Sequence, residues 1–400
     1  IENCTVKNNI LKLGIDAKVC HNFTVEKNII LNSGILISAP EDAVISNLRI
    51  SDNLIVDGSI DVWGSCFSLN SGNFILLNNT ILKGRIVLNN CCGYKIIENH
   101  ISNDPNAGSA SMGIALSESD SNEIENNTIV NCSEGIRINS GSNIIENNIL
   151  TDNGQGIIIG PAEGNNSLFN NTISNSNVGI FLSGSNLVGN LTRGNSLLNN
   201  NISNNNIGII FECDSSGNLA TSNKVELNKQ YGIYIKQVNY RVPYNVTNCF
   251  YNNIFNNTVN FFNDTGNYTG HYYTPKSVND SIRIISFAFN TTKASGTNIV
   301  CGPDLGGNYW AKPDGTGFSQ NCVDSDGDGI GDLPYSVSEN ETDYLPLVSL
   351  PTSPESVVPI ANFSTNITQN LTPVSVQFID LSKNAILWNW DFDSDGISDS

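Results

Sequence analysis

Four times between Ile124 and Phe211 the chain repeats one pattern of apolar and polar positions, as IENNTIVNCSEGI, IENNILTDNGQGI, LFNNTISNSNVGI and LLNNNISNNNIGI. An apolar leader opens each copy at Ile124, Ile145, Leu168 and Leu197. A glycine closes it at the same offset, at Gly135, Gly156, Gly179 and Gly208. The stretch from glycine to the next leader varies in length, so one half of each unit is fixed and the other accepts insertions. Short alternating apolar runs with a period of roughly 20 to 30 residues, and no helical spacing, predict a β-solenoid in which each repeat is one coil. A lone coil cannot bury its inward residues, whereas stacked coils pair their backbones and share one core.

The fixed offset stacks like on like. It predicts one column of Asn126, Asn147, Asn170 and Asn199, and a second of Asn127, Asn148, Asn171 and Asn200, with amides bonding from coil to coil in both. On this reading a glycan on Asn126 or Asn170 would break the stack. The glycines form a third column, expected at a positive-φ corner or at a close approach of neighbouring coils. Glu125 and Glu146 fall in one column with Glu98 beside them, and that carboxylate row stops at Phe169 and Leu198.

At these residues the chain resembles right-handed parallel β-helix proteins of the carbohydrate-binding and sugar-hydrolase type, including the NosD-like periplasmic family. The resemblance implies an all-β solenoid and leaves function open, because the fold hosts lyases, hydrolases, epimerases and proteins without chemistry. Degenerate repeats reach back almost to Ile1 and continue to about Phe262, giving about ten coils. Insertions are expected at Asn103 to Met112 and at Ser183 to Ser196. We read residues 1–265 as the β-helix, 266–350 as a capping module and 351–400 as the start of a further domain. No amphipathic helix precedes the first coil to cover it, which predicts missing residues or a neighbour at that end.

The segment Gly306 to Tyr335 resembles a module that closes β-helix surface proteins of methanogenic archaea. That resemblance implies Trp310 and Tyr309 packed over the last coil, bracketed by Cys301 and Cys322. After a Pro/Ser-rich linker at Ser349 to Pro359, the last residues resemble the start of a PKD domain, an immunoglobulin-like β-sandwich, with Trp388, Trp390, Asp391 and Phe392 in its motif. The segment supplies about half of the roughly seven strands such a sandwich needs, so a continuing chain or another molecule is expected to complete it.

A net charge of −19 and 38 acidic residues argue against nucleic acid or anionic membrane as partners and favour divalent cations. The sharpest cation motif is Asp324, Asp326, Asp328, Gly329 and Asp332, with carboxylates at alternate positions of a tight turn as in the first part of an EF-hand loop. Asp391, Asp393, Asp395 and Asp399 repeat the spacing. Both predict structural calcium. Copper is not expected, since His21, His100 and His271 are scattered and Met112 is the single methionine.

Ten cysteines without a C-x-x-C pair fit an oxidising compartment. The shortest loops pair Cys4 with Cys20, Cys213 with Cys249 and Cys301 with Cys322, and place Cys66 about one coil from Cys91 or Cys92; free buried thiols are the alternative. Sequons abound, the best acceptors being Asn190, Asn245, Asn263, Asn267, Asn279, Asn290 and Asn340. No apolar run is long enough to span a membrane, and a chain opening at Ile1 points to a removed signal peptide or a fragment. Two functions follow as expectations. The first is a secreted, archaeal, non-catalytic surface protein that assembles with copies of itself, other envelope proteins or surface glycans into a layer, sheath or filament. The second is an extracellular polysaccharide-binding or polysaccharide-cleaving protein, which a row of aromatics beside paired carboxylates would favour.

Overall fold

The computed structural model describes residues 1–40, 43, 45–64, 73–104, 111–161, 164–184, 193–212, 215–236, 247–264, 286–349, 363–365 and 378–380. Two compact units divide the chain, Ile1–Leu350 and Pro351–Ser400. The first is a parallel β-helix. Its strands fall in turn onto three parallel sheets of 12, 12 and 11 strands, here sheets A, B and C, so each sheet gains one strand per coil. Of the second unit, strands Phe363–Thr365 and Phe378–Asp380 pair antiparallel; Trp388, Trp390, Asp391, Phe392, Asp393, Asp395 and Asp399 lie outside the described residues.

The register explains the repeat. Ile96, Ile124, Ile145, Leu168 and Leu197 stack inward on sheet A, and Ile101, Ile129, Leu150, Ile173 and Ile202 on sheet B. All are fully buried. At about 1.5–3 kcal/mol per buried aliphatic side chain, such columns are the main drive for stacking. Toward the C-terminal end the core turns aromatic. Phe211 meets Phe250, Phe255 stacks on Trp310 at 4.8 Å, and Tyr335 and Phe318 lie beyond it. Strands Phe287–Ala288 and Tyr309–Ala311 extend sheets A and B past the last full coil, so this end of the solenoid is closed by its own continuation.

From Lys7 to Ile254 each A-to-B corner consists of two residues. The first, among them Asn126, Asn147, Asn170 and Asn199, has positive φ; Asn126, Asn170 and Asn199 are exposed, Asn147 is half-buried and Asn252, at the last such corner, is buried. The second is a buried asparagine that receives the preceding coil's backbone N–H and side-chain amide on Oδ1. Asn127, for example, donates to Asn148 Oδ1 from N at 2.9 Å and from Nδ2 at 3.0 Å. This ladder runs unbroken from Asn9 through Asn28, Asn53, Asn79, Asn99, Asn127, Asn148, Asn171, Asn200, Asn223 and Asn253 to Asn308.

The second predicted column is therefore the ladder, and the first is a corner. Asparagine suits that corner because it tolerates the left-handed region better than other non-glycine residues. Asn170 does reach Asn147 at 2.6 Å, but Asn126 donates to Glu125 in its own coil, so neither amide is locked in a buried stack. The glycines Gly135, Gly156, Gly179 and Gly208 are not at positive φ; a Cβ on Gly135 would stand 2.5 Å from Gly156 O, and close approach is what they serve.

Two further ladders occupy the other corners. Asn122, Asn143, Asn166, Asn195, Asn218 and Asn248 form one. Asn153, Ser176, Asn205, Asn228, Asn257 and Asn260 form the other. With buried polar groups satisfied at all three corners, the chain can turn inside a solvent-free stack.

The pairings expected of Cys4 with Cys20, Cys213 with Cys249 and Cys301 with Cys322 do not form. Cys4, Cys20, Cys91, Cys132, Cys249, Cys301 and Cys322 are free thiols, while Cys92 is in a disulfide whose partner lies outside the described residues, as do Cys66 and Cys213. In a solenoid the neighbour of a residue is its register partner one coil on, and for Cys4 that is Phe23, not Cys20. Burial pushes the Cys91 and Cys132 thiols up to about 12 and about 11, as for inert core residues.

Candidate functional site

Side chains on alternate positions of each sheet C strand point outward. From the N-terminal to the C-terminal half of this face their character changes. In one outward column Arg137, Ile158, Phe181, Ile210, Tyr234 and Phe262 are successive register partners. Tyr231 stands beside this column. Phe262 is 38 % exposed and Tyr231 and Tyr234 are half-buried. The three rings form a stacked group, with Tyr231 and Phe262 centroids 4.7 Å apart at 16° and Tyr234 and Phe262 5.8 Å apart at 15°. Near-parallel aromatic rings on the outward side of a sheet are a platform for an apolar, flat ligand surface.

The parallel outward column carries charge. Glu212, Lys236 and Asp264 are consecutive register partners. Lys236 Nζ donates to Glu212, and the Tyr234 hydroxyl donates to Asp264 Oδ2 at 2.6 Å. The carboxylates are thus held as acceptors against the edge of the aromatic group. Three of the longest connections, Ser183 to Ser196, Lys236 to Asn248 and Asp264 to Phe287, leave sheet C at this edge; another, Ala288 to Tyr309, joins the last strands of sheets A and B. Sequence reading places the insertion after Ser183 but does not bring Tyr234 and Phe262 together, since unequal coil lengths hide their shared register.

The Glu125–Glu146 pair lies on sheet A, and the row does end at Phe169 and Leu198. Glu98 does not join it. It occupies the positive-φ corner, and Ile97 is the partner of Glu125.

In the acidic loop, Asp324, Asp326 and Asp332 bring oxygens within 4.8 Å of one another. Gly327 and Gly329 have positive φ, and Asp324 Oδ2 accepts the Gly329 N–H at 2.9 Å. Asp328 leaves the group, because Lys293 Nζ donates to it and also lies 3.3 Å from Asp304. The remaining donor set is all oxygen, the set a hard divalent cation takes.

Among the sequon asparagines, Asn340 is exposed and Asn263 half-buried; the Asn290 amide oxygen accepts the Tyr344 N–H at 3.3 Å. Asn190, Asn245, Asn267 and Asn279 lie outside the described residues. No helix among the described residues is long and apolar enough to cross a membrane.

A family model described as periplasmic copper-binding protein (NosD) matches residues 138–315. No curated protein matches the chain. Among solved structures, a periplasmic alginate epimerase is similar at 15 % identity, with 64 % of this chain and 75 % of that chain covered and a TM-score of 0.41. The Dettilon tailspike protein is similar at 16 % identity, with 58 % and 61 % covered and a TM-score of 0.27.

The copper named in the family description does not fit the described residues. The one cluster of metal-binding side chains among them is the aspartate group, and copper prefers imidazole, thiolate or thioether. His21 is on sheet A with Nδ1 2.9 Å from Ser46 Oγ, His100 is on sheet B, and Met112 is on sheet C.

Proposed function

We propose that this chain is an exported polysaccharide-binding β-helix protein that holds glycan on the outer face of sheet C. The observation that carries this reading is the stacked group of Tyr231, Tyr234 and Phe262 beside Glu212, Lys236 and Asp264. Pyranose rings present one apolar face and a rim of hydroxyls, so aromatic planes take the face while carboxylates accept from the rim. A rod whose role is assembly alone does not need such a face, which moves the envelope-scaffold reading to second place.

The reading is binding, not turnover, because the two carboxylates nearest the rings are each committed to a donor within the protein. Export to a periplasmic or cell-surface location agrees with the periplasmic description of the matched family model and with the disulfide at Cys92. Calcium held by Asp324, Asp326 and Asp332 would brace the segment that closes the solenoid. We take the last unit to be a PKD-like spacer.

Native gel electrophoresis in gels containing neutral and acidic polysaccharides tests the reading. The wild-type protein should be retarded by at least one of them, and Tyr234→Ala and Phe262→Ala should migrate as in a plain gel. Unretarded wild-type protein across the panel would sink it.

A further inference from the structure

Resting on that reading, we propose that the outer face of sheet C takes one extended, neutral polysaccharide chain laid along the solenoid axis, with Trp63 as a second platform far from Tyr234 and Phe262. Trp63 ends the strand Ile60–Trp63 and is 50 % exposed. Tryptophan usually hides most of its surface, and a ring standing half in solvent on a strand face is available to a flat partner. Its neighbours in the adjacent coils are Ser38 and Asn89, both too short to cover the ring.

Trp63 shares its outward column with the charged group described above. From Trp63 the register runs through Asn89, Ser117 and Asn139, and the same column continues at Ser183, Glu212 and Lys236. Along this column, from Asn89 to Ser183, the space between the platforms carries short amides and hydroxyls, which both donate and accept, as sugar hydroxyls do, beside the largely apolar column of Ile158, Phe181 and Ile210. Trp63 is on the third strand of sheet C and Tyr234 on the tenth. Seven strand spacings amount to roughly 34 Å. A pyranose unit advances along its chain about as far as one strand does along the axis, so a chain of several sugars spans the two platforms and a disaccharide reaches one only.

Charge selects the neutral class. The Arg137 guanidinium donates to Glu134 at 2.7 Å, Lys236 donates to Glu212, and Arg85 lies 3.9 Å from Asp61. These cations already face carboxylates of the protein. Between the platforms a polyuronate would lay its own carboxylates along a face whose described cations are already paired, and the exposed Lys18 lies beyond Trp63 in the same column.

Titration calorimetry with a neutral β-glucan and a mannan, each size-fractionated, and with polygalacturonate as the acidic counterpart, decides the matter. Two linked platforms raise affinity for chains that bridge them, so Trp63→Ala should weaken long-chain binding by about tenfold or more. Short fragments, held at Tyr234 alone, should bind as before, and Trp63→Phe should keep most of the long-chain affinity. Unchanged long-chain affinity in Trp63→Ala, with loss in Tyr234→Ala, would overturn the second platform and leave the polysaccharide reading standing. Preference for polygalacturonate would overturn the neutral assignment. Failure of wild-type protein to bind any of the three would overturn the reading itself. Because Trp63 is half exposed, its variants should melt like the wild type, which circular dichroism checks.

Discussion

Asn308 donates to Asp343 Oδ2 from its backbone N at 2.8 Å and its side-chain amide at 3.4 Å, the same pair of bonds each ladder asparagine makes to the next asparagine oxygen. Asp343 therefore ends the ladder with an acceptor in place of an amide. Trp310 Nε1 also donates to Oδ2, at 2.8 Å, and the Leu345 N–H to Oδ1, at 3.1 Å. Burial nevertheless dominates and pushes the carboxyl up to about 6.

A carboxyl with a raised folded-state value binds its proton more tightly in the native protein, so its contribution to stability is greatest when protonated and declines as pH rises from about 4 through about 6. At about 1.4 kcal/mol per unit, ionisation there costs about 3 kcal/mol. Asp343→Asn should lose this pH dependence relative to wild type in melts between pH 4 and 8. Asp343→Ala takes this acceptor from the buried Asn308 N–H and Trp310 Nε1–H and from the part-buried Leu345 N–H, and should lose about 2–4 kcal/mol at any pH in that range.

The two corner asparagines should respond in opposite ways. Asn148→Ala removes the acceptor of two Asn127 donors and the amide that bonds Ile124 O and Asn171, and should cost about 2–4 kcal/mol in denaturant unfolding. Asn147→Gly, one residue away at a half-buried positive-φ position, should stay within about 1 kcal/mol of wild type.

Gly135→Ala should destabilise by about 1–3 kcal/mol, because the added methyl would lie 2.5 Å from Gly156 O and 2.8 Å from Leu150 Cδ2, with packed coils on both sides. Thermal melting and crystal diffraction would show the loss and whether the coil spacing opens locally.

Calcium should raise the melting temperature of the 1–350 unit by a few degrees at saturating concentrations, and chelation should reverse it. Asp326→Ala should abolish the response. Lys293→Met frees Asp328 from its ammonium partner and should tighten calcium binding, read by calorimetry.

The fold was legible from the leader-to-glycine offset because that half of each coil, sheet A, the two-residue corner and sheet B, barely changes in length. The ladder column at Asn127 and Asn148 came from the same constancy. A second signal was present and unused: Asn122, Asn143, Asn166 and Asn195 each precede an apolar leader by a fixed offset, which marks the second ladder. What misled was proximity along the chain. Cys4 and Cys20 are near in sequence, but stacking selects the register partner. The grouping of Tyr234 and Phe262 was hidden for the converse reason, since they touch across a connection whose length follows no repeat. Exposed αL corners and buried ladder rungs are both asparagine, so residue type alone could not separate the two columns.

The confinement of length variation mainly to the edge where sheet C hands over to sheet A has an evolutionary consequence. A lengthened connection there leaves the coil's inward column and its A-to-B rung in place, as the coils on either side of Ser183 to Ser196 show by keeping their register. Descendants of such a stack can therefore exchange the segments that follow the sheet C strands while inheriting the same core, and those segments can diverge faster than the scaffold that carries them.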